Sequence, residues 1–162
     1  ELQNKDNIAQ LLVSAYPEFH PTVFLEMMSD NVDDYLGKDN IYSQRYTDQY
    51  GLWEDDTESE MYDNPKNVWE AYYQAIAAAN QALESIEQLG GGEEFNQYIG
   101  EALMIRAFCH FTLANVFCMP YNPTTADREL GIPYSRKPEK QLDPKYERGT
   151  LAQTYEYIRQ DL

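Results

Sequence analysis

A chain of 162 residues is long enough for one domain, which buries roughly 70% of the surface its unfolded form exposes. Its 28 acidic against 12 basic residues give a net charge of −16, which argues against sequence-independent binding to nucleic acid or anionic lipid, since both need clustered Lys and Arg. Fourteen Tyr stand against six Phe and two Trp, a bias toward rings that are half buried and still hydrogen-bond, suited to a wet binding face and equally to helix contacts.

Asn7 is placed to cap a short helix whose apolar residues Ile8, Leu11, Leu12 and Ala15 recur at helical spacing before Tyr16-Pro17 stops it. Pro21 opens a second helix, with Val23, Phe24, Met27 and Met28 on its apolar side, so the two form a candidate helical hairpin. From Ser29 to Asn64 the periodicity gives way to acidic, polar and aromatic residues, among them Arg45, Tyr46, Tyr50, Trp53, Asp55 and Asp56. A stretch of that length without a pattern is uncommon in a compact domain unless it is functional or disordered, and its aromatic content favours an ordered, packed loop.

Periodicity resumes at Asn64-Pro65, where Pro fits the first helical position. Trp69, Tyr72, Tyr73, Ile76, Ala79, Asn80, Leu83 and Ile86 then mark one stripe, ended by Gly90-Gly91-Gly92. Glu93 to Val116 is the next long helix, with Phe95, Ala102, Arg106, Ala107, His110 and Leu113 along one side, and the short connection makes the two antiparallel. Residues 100–121 are apolar on nearly every side, which predicts a central helix covered on more than one face. Glu101 and Arg106 lie at a poor spacing for a surface ion pair and are expected to anchor neighbouring backbone or loops. Cys109 and Cys118 share this helix about 13 Å apart, beyond disulfide reach, and are expected to be free, buried thiols.

Met119 to Tyr146 is rich in Pro and mixed in charge, reading as a long surface excursion. A last helix follows Thr150, with Leu151, Tyr155, Ile158 and Leu162 at helical spacing. No segment alternates as a strand does. The expected fold is all-α: antiparallel helical hairpins of tetratricopeptide-like kind, without a clean period of about 34 residues. It is read as a single domain over residues 1–162 with long loops at 29–64 and 119–149.

Catalytic chemistry finds little support. Adjacent acids such as Asp33-Asp34 and Asp55-Asp56 are abundant, and in so acidic a chain they mark a solvated face. There is no Gly-rich phosphate loop, no nucleophile elbow and no recognisable Cys-His pair. A metal site would need Cys109, Cys118 and His20 to converge, which the shared helix opposes, and His110 reads as a packed core residue. The reading is a binding protein, not an enzyme, with no metal and no cofactor.

Five blocks occur in series: Trp69-x3-Tyr73-x2-Ile76-x2-Ala79-Asn80-x2-Leu83-x2-Ile86, Gly100-Glu101-Ala102-x3-Arg106-Ala107, Phe111-x-Leu113-x3-Phe117-x2-Pro120, Gly131-Ile132-Pro133, and Arg148-Gly149-Thr150 followed by Tyr155-x2-Ile158-x2-Asp161-Leu162. In content and order they resemble the SusD/RagB-like nutrient-binding lipoproteins of Bacteroidetes outer membranes, and Cys118 stands where that family usually has Gly. The resemblance implies a SusD-like N-terminal lobe of a longer protein. It further implies a cell-surface protein of the outer membrane that captures glycans or oligosaccharides and hands them to a TonB-dependent transporter. Membrane attachment would run through an N-terminal lipid anchor absent from this chain, which begins at Glu1.

Sugars present flat apolar faces and rims of hydroxyls, so a binder offers aromatic platforms flanked by hydrogen-bonding groups. Trp53, Tyr50, Tyr46, Arg45 and Asp56 supply both kinds and are the candidate ligand contacts; the same rings would also serve to pin the long loop onto the helices. Trp69, Tyr73, Asn80, Glu101 and Arg106 are read as structural motif residues, Asn80 and Arg106 satisfying buried carbonyls or side chains between helices. The rival reading is a tetratricopeptide-like protein–protein adaptor with no sugar binding.

Overall fold

The computed structural model describes residues 4–31, 64–141 and 144–162. Among these the fold is all-α, with five α-helices and no strand. They are α1 (Lys5–Val13), α2 (Thr22–Met27), α3 (Pro65–Gln88), α4 (Asn96–Phe117) and α5 (Leu151–Asp161), with a 3-10 turn at Glu93–Phe95 leading into α4. The chain divides into two compact units, residues 18–71 and residues 1–17 with 72–162.

The smaller unit holds α2 and the first turns of α3. Pro21 immediately precedes α2, and Phe24 is its buried anchor. Pro65 takes the first position of α3, where its missing N–H leaves no bond unmade, and the side-chain oxygen of Asn64 accepts from the Lys66 amide.

In the larger unit α1 begins at Asn4, not at Asn7. Asn4 has the extended backbone of an N-cap and its side chain accepts from the amide of Asn7, so the residue expected as the cap is the donor to it. Ile8 and Leu12 are fully buried on one side of α1, which packs against α4.

Three cross-contacts fix the direction of α3 against α4. Tyr72 lies beside Phe108, Tyr73 meets His110 edge-on, and further along α3 Asn80 meets Arg106. From Tyr72 and Tyr73 on to Asn80 the partner on α4 moves back from Phe108 and His110 to Arg106, so the two run antiparallel. Gly90, Gly91 and Gly92 all have positive φ, and the Gly91 amide closes back on the Ile86 carbonyl; side chains rarely adopt this backbone, so the glycine triplet sets the reversal. The helix expected from Glu93 starts instead at Asn96, because the chain first makes one tighter turn that buries Phe95.

α4 also packs against α5, so it is covered by α1, α3 and α5. The cover is incomplete: Met104, Phe108 and Phe111, at i, i+4 and i+7, are 57%, 51% and 45% exposed. The expectation of a helix covered on more than one face holds, with this stripe left outside the cover. Cys109 is buried and free, whereas Cys118, also free, sits half-buried at the end of α4.

The segment after α4 is less of a surface excursion than its prolines suggest. Ala126 and Ile132 are buried, Leu130 bridges to Thr150, and the Gly131 amide donates to the Gly149 carbonyl. α5 then starts from a capping box, in which Thr150 accepts from the Gln153 amide while the Gln153 side chain accepts from the Thr150 amide.

Candidate functional site

The polar centre of the larger unit is assembled on Arg106, a guanidinium buried in the middle of α4. A buried cation needs a geometrically matched anion, and Asp161, from the last turn of α5, provides it. Nε donates to Oδ2 at 2.7 Å and Nη2 to Oδ1 at 2.6 Å, a two-point fork. The remaining nitrogen, Nη1, donates to the side-chain oxygen of Asn80 at 2.8 Å and to the Arg136 carbonyl at 3.3 Å. Asn80 in turn donates to the carbonyls of Ser135 and Lys137. Asn80 on α3 and Arg106 on α4 thus grip the coil at 133–137, with Arg106 held in turn by Asp161 on α5.

His110, one turn along α4 from Arg106, completes that grip. Its Nε2 accepts from the Ser135 amide at 3.1 Å, so Nδ1 carries the proton and donates to the Arg106 carbonyl at 2.8 Å. Tyr134 stacks on its ring with centroids 3.7 Å apart, and the Tyr134 hydroxyl donates to Asp161 at 2.7 Å. Tyr73 donates to the Pro133 carbonyl at 2.7 Å.

Burial drives the electrostatics of this cluster. It holds His110 neutral, pushing its pKa down from 6.5 to about 4 against the opposing effect of its bond to the Arg106 backbone. Burial pushes the Asp161 carboxyl up, but the donors Arg106 and Tyr134 outweigh it and keep the group below the ordinary carboxylate range. Tyr134 is raised, first by burial and then by its bond to Asp161, and Cys109 is pushed up to about 12 by burial alone. No group here is poised to exchange protons near neutrality, so the cluster is built as a clamp.

Three recesses are formed by described residues of this unit. The largest of these three, about 380 Å³, lies between Glu84 and residues 137–141 with Pro144 and Lys145, and presents Lys137, Lys140 and Lys145. A second, about 240 Å³, is walled by Tyr134, Arg148, Gln153 and Tyr157. The third, about 170 Å³, is almost wholly apolar, formed by Tyr16, Pro17, Met104, Ile105 and Phe108, with Glu101 at its edge. Among the described residues no helix is long and apolar enough to cross a membrane, and no group of His, Cys, Asp and Glu is arranged to hold a metal ion.

The arrangement of a hairpin bound through Asn80 and Arg106 to a later coil and to Asp161 coincides with the sequence blocks quoted above. A family described as starch-binding, associating with the outer membrane, matches residues 1–162, the whole chain. The chain belongs to the SusD-like family. No curated protein matches it. Members of the family bind glycans at the cell surface in association with the outer membrane.

Within this SusD-like chain the residues singled out from sequence fall into two sets. Trp53, Tyr50, Tyr46, Arg45 and Asp56 lie outside the described residues. Of the motif residues, Tyr73, Asn80 and Arg106 converge on the coil at 133–137, whereas Glu101 accepts from the Tyr16 hydroxyl at 2.9 Å at the end of α1's connection. Trp69 is half-buried on the first turns of α3. His110 is the packed, hydrogen-bonded core residue that the sequence suggested, whereas sequence reasoning missed the part played by Asp161 and Ser135. The one available signal was that a guanidinium on an apolar helix requires a carboxylate, and Asp161 stands in the last of the quoted blocks.

Proposed function

We propose that this SusD-like chain captures glycans at the cell surface and passes them to a TonB-dependent outer-membrane transporter. It does so without catalysis, held to the membrane through a lipid anchor. The observation that carries the proposal is the match of the family over all 162 residues. Trp53, Tyr50, Tyr46, Arg45 and Asp56 are the proposed ligand contacts, on the chemical ground that sugar faces stack on aromatic rings while their hydroxyls take hydrogen bonds from charged and amide groups.

The test is calorimetric titration of the chain and of Trp53→Ala against soluble polysaccharides and their oligosaccharides, with a melting curve of each protein. The expected outcome is that one glycan class binds the parent, that the variant loses it, and that the unliganded melting temperature barely moves. A Trp53 that serves only as a loop pin would instead cost about 3–5 kcal/mol of stability on removal. Hydrolysis of a glycan by the purified chain, abolished by one Asp or Glu substitution, would overturn the non-catalytic reading.

A second reading has one observation in its favour. The exposed Met104, Phe108 and Phe111 stripe is the kind of surface through which helical-hairpin proteins contact other proteins, as an adaptor without sugar binding would require. It predicts no glycan binding by parent or variant.

A further inference from the structure

The charge of the chain is reversed in one place. Residues 136–148 carry Arg136, Lys137, Lys140, Lys145 and Arg148 against Glu139, Asp143 and Glu147, a net of +2 in a protein of net −16. Residues 137–141 with Pro144 and Lys145 form one wall of the 380 Å³ recess, and the opposite wall is Glu84 on α3. That volume falls within the range of about 300–1,000 Å³ typical of small-molecule sites.

Of the two acids lining the recess, one is paired with a cation and the other accepts only from neutral donors. Glu84 is taken by Lys140 at 2.7 Å. Glu139 accepts from the Gln141 amide and from the Tyr146 hydroxyl. Among the described residues Lys137 and Lys145 have no ion-pair partner, and since Glu139 keeps its charge the lining of three lysines and two glutamates is net positive by one.

The wall is also held in place from below. Asn80 donates to the Lys137 carbonyl, Arg106 to the Arg136 carbonyl, and His110 accepts from the Ser135 amide. The buried clamp therefore fixes the backbone from which Lys137 projects, which lowers the ordering cost of binding there. At physiological ionic strength the screening length is about 8 Å, so the net positive lining governs a ligand in the recess more than the acids elsewhere on the chain do.

We infer that this recess is a subsite for an anionic glycan, one whose sugar units bear carboxylate or sulfate groups, bound through Lys137 and Lys145. The inference rests on the glycan-binding reading above and narrows its substrate class. A neutral glucan has no use for two unpaired ammonium groups, whereas a uronic acid or sulfated sugar pairs with each of them.

The experiment titrates the full chain at physiological salt with short oligogalacturonates, sulfated oligosaccharides, neutral malto-oligosaccharides and oligoglutamate, using the parent, Lys137→Gln with Lys145→Gln, and Lys66→Gln as a control. Expected is binding of an acidic glycan, carboxylated or sulfated according to which of the two titrates. The double substitution weakens it by about tenfold or more, with Lys66→Gln and the melting temperatures unaffected. Since Asn80 contacts only the backbone of Lys137, the double variant keeps the clamp. Binding of the neutral sugar alone, or acidic binding indifferent to the double variant, overturns the subsite while leaving the glycan reading intact. Binding of oligoglutamate as tight as the glycan overturns it in favour of an acidic protein partner. No binding of any sugar removes both.

Discussion

The two sides of α4 invert the usual arrangement. One side buries the cation Arg106 and the imidazole of His110, and the other leaves Met104, Phe108 and Phe111 in solvent. Both are expensive choices for an isolated domain: a buried charge loses its hydration, and exposed apolar area forgoes burial. The difference shows that the inner side is selected for holding a coil in one place rather than for maximal stability. The outer side contributes little to the fold in which it is found. This contrast can be broken or sharpened by substitutions whose effects differ widely in size.

The largest effect is expected at the inner side. Arg106→Met leaves Asp161 buried without its fork and should cost about 3–5 kcal/mol in denaturant unfolding. Adding Asp161→Leu should restore part of that loss, since both buried charges are then gone. If the single variant unfolds like the parent, the fork is not holding α4 to α5.

Acid should act on the same side. The unfolded chain takes up a proton on His110 near 6.5 and the folded chain only near 4, so stability from this group is full above 6.5 and is lost as pH falls from 6.5 toward 4. The loss should reach about 3 kcal/mol. Unfolding free energies measured across that window, with His110→Gln as the variant whose slope is flatter, test it. Asp161 works in the same direction but only at lower pH, since its folded pKa lies below its ordinary value and its contribution is lost as pH falls beneath that value.

Gly131→Ala probes how tightly the gripped coil is seated. A Cβ there would lie 2.1 Å from the Thr154 hydroxyl oxygen and 2.8 Å from the Thr150 carbonyl oxygen, so α5 or the coil must shift, at about 1–3 kcal/mol. Thermal unfolding gives the answer directly. The smallest effect belongs to the outer side: Met104→Gln should change stability by no more than about 0.5 kcal/mol, and a larger loss would mean that the stripe is packed after all.

What the sequence made legible follows the range over which its signals act. The start of α3 at Pro65, its stop at the glycine triplet and the start of α5 after Thr150 depend on residues within a turn of one another, and all are present. The partner of Arg106 is 55 positions away, and no local pattern marks Asp161 as that partner. The same holds for Tyr16 and Glu101, separated by 85 positions. The coil around Ile132 read as surface because Pro and charge dominate its composition, although one buried Ile and five accepted or donated backbone bonds decide its position. Apolarity likewise told that α4 wants cover but not which stripe would go without it. For the sugar-contact residues, the chemistry was readable in Trp53 and its neighbours, and their placement lies outside the described residues.

The bond from the Ser135 amide to His110 has a kinetic consequence. Ser135 belongs to no helix or strand, yet its amide hydrogen points at a nitrogen that has no access to water. Its exchange with deuterated solvent should therefore track the opening of the helical core rather than the quick fluctuations of a coil, giving a single slow amide in an otherwise fast-exchanging stretch.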